Sequence, residues 1–130
     1  MLYNNLPEWE RSLARSDFTY WGFQDHSFAE QYRDWLDYSW QRQVASKHPL
    51  RICLYSNDVQ IERRRKGRVK NCDIRFFPKE FSFDTTFWVA GDYLCMVFSR
   101  EKPHYGLQIK DARLTANLRM VFRVLWGLVK

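Results

Sequence analysis

Between Phe87 and Asp111 the chain reads FWVAGDYLCMVFSREKPHYGLQIKD. These are three apolar runs, each too short for a helix and closed by turn residues. Gly91-Asp92 separates TFWVA from YLCMVFS at hairpin spacing, and the polar stretch REKPH leads into YGLQIK. The pattern predicts a three-strand antiparallel meander. At Asp111 the period changes: Leu114, Leu118, Val121, Phe122, Leu125 and Trp126 recur three and four apart. That spacing predicts a final helix with a wide apolar stripe and an acidic cap.

The first half alternates instead. Pro7 opens a helix through PEWERSLARS, with Trp9 and Leu13 on one face. DFTYWGF (17–23) is aromatic and β-branched, as a strand requires. In DHSFAEQYRDWLDYSWQRQVASK (25–47), Ser27 and Glu30 form a capping box. Phe28, Tyr32, Trp35, Leu36, Trp40 and Val44 keep one helical stripe behind it. LRICLY (50–55) is a buried-type strand, and Ser56, Asn57 and Asp58 offer caps for a helix through VQIERRRK that Gly67 ends. CDIRFF (72–77) is the next strand. Strands alternating with helices imply parallel βαβ pairing, and the later hairpins add antiparallel strands at one edge. The expected fold is α/β: a mixed sheet of about six strands flanked by helices, in one domain spanning 1–130, with 1–16 as a leading helix.

A chain of 130 residues fits one domain with a real core. Six Trp, seven Tyr and ten Phe supply that core and a possible binding surface. No apolar run approaches the ~18 residues of a membrane span, and the N-terminus has no secretory h-region. Cys53, Cys72 and Cys95 are odd in number, lack CxxC spacing and fall in strands. A cytoplasmic, reducing location without membrane contact is therefore expected. The net charge of +6 is local: residues 61–75 carry seven basic and two acidic side chains.

Signatures of chemistry are sparse. There is no GxSxG elbow, phosphate loop or HExxH pair. His26, His48 and His104 lack partners at metal-ligand spacing, so no metal and no cofactor are expected. His104 is the most interesting, in a polar loop between two sheet strands, where a crevice of an open α/β sheet could form. Glu30, Asp34 and Asp37 read as a solvated helix face, and Asp73 as an outward strand position. The cluster Arg63, Arg64, Arg65, Lys66, Arg68 and Lys70 has two readings. It is a solvated helix end favoured by the macrodipole, or a phosphate-neutralising surface for nucleic acid.

The order LYNNLPEW, DFTYWGF, the Trp-rich helix, LRICLYSN, a basic helix end, DIRFFPKEF, WVAGDYLCMVF and VFRVLW resembles one family over almost all of the chain. It is similar to the C-terminal, phospholipase-D-like regulatory domain of TrmB-like transcriptional regulators. The clearest matches are RFFPKEF (75–81), VAGDYLCMV (89–97) and NLRMVFRVLW (117–126). The chain departs from the family plan in one respect, because residues 1–16 cannot hold the family's winged helix-turn-helix. It departs from phospholipase-D enzymes as well. Their HxK motif supplies an attacking histidine, whereas the three histidines here stand in HSF, HPL and HYG.

The resemblance implies a non-catalytic sensor that binds an effector of sugar or nucleotide class and acts on DNA only indirectly, with homodimerisation. The apolar end WGLVK of the last helix is a possible dimer contact. Position and chemistry place Trp21, Tyr55, Asn57, Asp58 and His104 at the expected crevice: aromatic faces for stacking, Asn57 and Asp58 for hydroxyls. Each also has a plainer role, as strand core or helix cap. A nucleic-acid accessory domain using Arg63–Lys70 is the alternative, and a phosphodiesterase the last.

Overall fold

Six short strands arrange themselves in the order β3-β2-β1-β4-β5-β6. The computed structural model describes residues 2–44, 51–56, 72–77 and 83–128. The strands are β1 (Thr19–Gln24), β2 (Arg51–Ser56), β3 (Cys72–Phe76), β4 (Thr86–Ala90), β5 (Tyr93–Phe98) and β6 (Tyr105–Lys110). Pairing of β1, β2 and β3 is parallel, and β4, β5 and β6 add antiparallel neighbours. The fold is thus α/β with an open six-stranded mixed sheet. Four helices are described: α1 (Leu2–Ala14), α2 (His26–Gln31), α3 (Arg33–Val44) and α4 (Ala112–Leu128).

Alternation along the strands divides the interior into two cores. Tyr20, Leu54, Trp88, Ala90, Tyr93, Cys95 and Val97 face α1–α3, where Leu6, Trp9, Leu13, Phe28 and Trp35 cover them. Trp21, Cys53, Tyr55, Val89 and Leu94 face the other way, onto Phe122 and Trp126 of α4. With both faces covered, β1 is buried at nearly every position. Aromatic rings lock the first core: Trp35 stacks on Trp88 at 5.5 Å, and Phe28 meets Trp88 edge-on at 4.9 Å.

Three expectations need correction. α1 begins at Leu2, so Pro7 lies inside it instead of opening it. Burying Leu2, Leu6, Trp9 and Leu13, at roughly 1.5–3 kcal/mol each, outweighs the ~3 kcal/mol penalty of an interior proline. The helix expected over 25–47 is two helices, broken where Tyr32 leaves helical geometry at φ −119° and ψ 32°. Its cap is Asp25, which accepts from the Ser27 amide, and not Ser27 itself. The expected helix through VQIERRRK, and with it Asn57 and Asp58, lies outside the described residues.

At the other end of the chain the sequence reading holds. Gly91 takes a left-handed φ of +61° at the hairpin turn. Asp111 caps α4, its Oδ1 accepting from the amides of Arg113 (3.0 Å) and Leu114 (2.9 Å). Arg75 of β3 lies 4.1 Å over the Trp126 ring and donates to the Trp126 carbonyl in the last turn of α4.

Candidate functional site

Buried polar groups are the informative exceptions in a protein interior, because each must be satisfied by a partner. Among the described residues nine are buried, and six of these gather at one end of the sheet: Gln24, Asp25, Ser27, Ser56, Thr86 and Ser99. The strand directions explain the location. β1, β2 and β5 end there, whereas β4 starts there. At β1 the strand order also reverses, since the chain proceeds to β2 on one side while β4 pairs on the other. Crevices of open α/β sheets form outside strand ends at such a switch point.

Asp25 is the centre of the cluster. It leaves β1, caps α2 and is fully buried. Arg100, just beyond β5, grips its carboxylate with Nε at 3.0 and 3.1 Å and Nη2 at 2.7 Å. Ser27 donates its amide at 3.3 Å and its hydroxyl to the same Oδ2. That hydroxyl lies 2.8 Å from Ser99 Oγ. The Asp25 amide donates to Thr86 Oγ1 at 3.0 Å, tying in the start of β4. His26 Nδ1 stands 3.5 Å from Asp25 Oδ1. The hydrogen bond to Asp25 raises the Arg100 guanidinium further above its already high range, so the cation of this pair is permanent at any physiological pH.

Arg100 also faces outward, its side chain 44% exposed. There it lines an open groove of about 410 Å³ with Asp84, Thr85, Ser99, Glu101, Lys102 and Tyr105. Tyr105 stacks on Phe98 at 4.5 Å and 14°, and is itself 57% exposed. The groove therefore brings an aromatic ring, two carboxylates, two cations and three hydroxyls to one small volume. Such a set can stack on a ring and exchange hydrogen bonds with hydroxyls. Among the described residues no group of three His, Cys, Asp or Glu is placed to hold a metal ion.

The residues singled out from sequence fare differently. His104 lies at the same end of the sheet as this cluster and is half-buried, but its Nδ1 is 3.0 Å from Tyr32 Oη, which ties the loop to the break between α2 and α3. Trp21 is core: 6% exposed, edge-on to Trp126, its Nε1 donating to Asp17 Oδ2 at 2.9 Å. Tyr55 is fully buried and stacked on Phe77 at 4.2 Å. Neither ring presents a face to a ligand. Asn57, Asp58 and the cluster Arg63, Arg64, Arg65, Lys66, Arg68 and Lys70 lie outside the described residues. Trp126 of the WGLVK end is also core, 8% exposed, whereas Leu128 projects at 75%.

Asp25, Thr86 and Ser99 escaped the sequence reading, whereas Arg100 belongs to the polar loop REKPH that it placed beside a crevice. Asp25 immediately before a helix was a visible cap signal, but its ion pair crosses 75 residues. Neither a family model nor a curated protein matches the chain. No described helix is long and apolar enough to cross a membrane.

Proposed function

We propose that the chain is a non-catalytic, ligand-sensing domain of phospholipase-D-like fold, belonging to a cytoplasmic TrmB-like transcription regulator. The effector is a small polar molecule of sugar or nucleotide class held in the strand-end groove. The observation that carries this reading is the groove beside the Asp25–Arg100 pair: a fixed, buried anchor behind an exposed ring, Tyr105, with Asp84, Glu101 and Lys102 around it. Resemblance of RFFPKEF, VAGDYLCMV and NLRMVFRVLW to the regulatory domain supports the same reading. Thr86 and Ser99 tie the Asp25–Arg100 pair behind the groove to β4 and β5, a route by which occupancy is felt beyond the groove. The effect on DNA is indirect.

A thermal-shift screen of the full chain against sugars, nucleotides and short duplex DNA at two salt concentrations tests the proposal. A ligand at a hundredfold excess over its Kd stabilises the folded state by ~2.7 kcal/mol. A salt-insensitive shift with one small molecule, lost on Glu101→Ala with Lys102→Ala, is the expected result. A shift with DNA alone that disappears at high salt transfers the function to Arg63–Lys70. Turnover of a chromogenic phosphodiester overturns the non-catalytic reading.

A further inference from the structure

The strand-end groove carries a charge imbalance that narrows what it can hold. Its Asp84, Glu101 and Lys102 are all exposed, and among the described residues no ion pair joins any of them. Arg100 is the other cation, but Asp25 takes its Nε and Nη2. With Asp25 counted behind the rim, three carboxylates stand against two cations. Asp84 belongs to this set by proximity: after the hydrogen bond to Asp25, its charge also raises the Arg100 guanidinium. The groove has an aromatic lining as well. Phe98 covers one side of Tyr105 at 4.5 Å, and the Tyr105 ring remains 57% exposed. An electron-rich ring face attracts a cation, in the same sense as the two unpaired carboxylates beside it.

We infer that the groove takes a sugar bearing an ammonium group, with Asp84 and Glu101 as the counter-charges of that ammonium. The inference rests on the groove being the sensing site, and it decides between the sugar and nucleotide classes. A nucleotide adds phosphate charge to a groove that already has a negative excess. The guanidinium that could meet the phosphate is occupied by Asp25. An amino sugar brings the single positive charge that neutralises the set. Its hydroxyls suit the remaining polar groups, because the Thr85 and Tyr105 hydroxyls both donate and accept. The C–H face of the sugar ring packs on the open side of Tyr105. A groove of about 410 Å³ lies within the ~300–1,000 Å³ of small-molecule sites. Lys102 opposes the ammonium, so its removal has a sign that a phosphate ligand reverses.

Calorimetric titration of the full chain with glucosamine, N-acetylglucosamine, glucose and adenosine monophosphate tests this, at a slightly acid pH that keeps the amine protonated. Glucosamine is expected to bind about tenfold more tightly than the other three, the worth of a charge-assisted hydrogen bond over a neutral one. Asp84→Asn and Glu101→Gln are each expected to weaken it about fivefold, as loss of an exposed ion pair does. Lys102→Gln is expected to tighten it about twofold. All three substitutions change exposed side chains, so the circular-dichroism spectrum stays the same. Glucose or N-acetylglucosamine bound as tightly as glucosamine overturns the ammonium assignment and leaves the sensing reading standing. Tighter binding of adenosine monophosphate, weakened by Lys102→Gln, overturns it in favour of phosphate. Glucosamine binding that neither carboxylate substitution alters overturns the placement in this groove. No binding by any of the four overturns the inference together with the reading on which it rests.

Discussion

Arg100 closes on Asp25 across the end of the sheet, with Nη2 2.7 Å from Oδ1 although the two residues are 75 apart in the chain. One member is buried and the other half in water. The pair therefore behaves as an anchored cation at the rim of a groove, and its removal leaves a buried carboxylate without its counter-charge.

Arg100→Met is accordingly expected to cost about 3 kcal/mol, the low end for a buried pair because the guanidinium stays partly hydrated. Urea unfolding of Arg100→Met, Asp25→Asn and the double variant reads the coupling. The double variant is expected to be less destabilised than the sum of the singles. Additive losses would show that the two side chains do not depend on each other.

Gly22 is fixed by a neighbour rather than by its own backbone angles. A Cβ there would stand 1.9 Å from the Phe87 carbonyl oxygen, on the paired strand β4. Backbone cannot rotate away as a side chain can, so Gly22→Ala forces β1 and β4 apart. A loss of roughly 3 kcal/mol or more is expected, measured as a fall in the urea midpoint. An unchanged midpoint would refute the close approach.

The hairpin turn is held from across the sheet. Ser12 of α1 accepts the Asp92 amide at 2.8 Å and is itself 2% exposed. Ser12→Ala removes the acceptor and leaves a part-buried N–H unsatisfied, for about 1–2 kcal/mol. Faster hydrogen exchange at the Asp92 amide is the specific readout, since generalised loosening would accelerate every amide of the turn alike.

Alkaline pH should destabilise the fold through its buried acids. Burial pushes the Cys95 thiol up to about 12 and, as the largest cause, the Cys53 thiol up to about 11, from 9.0. Burial likewise raises the Tyr20 phenol. Each group stays protonated in the folded chain at a pH where the unfolded chain has already ionised. Their contribution is thus complete below pH 9 and is lost as pH rises towards 12, at about 1.4 kcal/mol per pH unit for each proton. In Cys95→Ala the fall in unfolding free energy above pH 9 is expected to be shallower by that amount. An identical slope would mean that Cys95 does not titrate in the unfolded chain alone.

Much of the fold was legible because it is encoded locally. The Gly91-Asp92 turn, the Asp111 cap, the period of α4 and the short β-branched runs are each set within a few residues. Burial contradicted local signals only where many contacts competed with one preference. Pro7 was absorbed into α1, and the aromatic stripe of 28–44 was broken at Tyr32, whose hydroxyl is held by His104. The candidate site was far less legible. Trp21 and Tyr55 had two readings, stacking faces or strand core, and strand alternation alone does not tell which face a helix will cover.

By itself the sequence determined the elements: six strands, the alternation that makes the first three parallel, and the capped helix that ends the chain. Only the tertiary structure decided what those elements bring together. Strand order places the ends of β1 and β5 beside the start of β4, and so makes Asp25, Thr86, Ser99 and Arg100 neighbours. The same order puts β6 at the end of the sheet, with no strand on its outer side among the described residues. Hydrophobic periodicity reaches a few residues along a chain, whereas strand pairing acts across scores of them. The groove and the edge therefore come into existence only on folding.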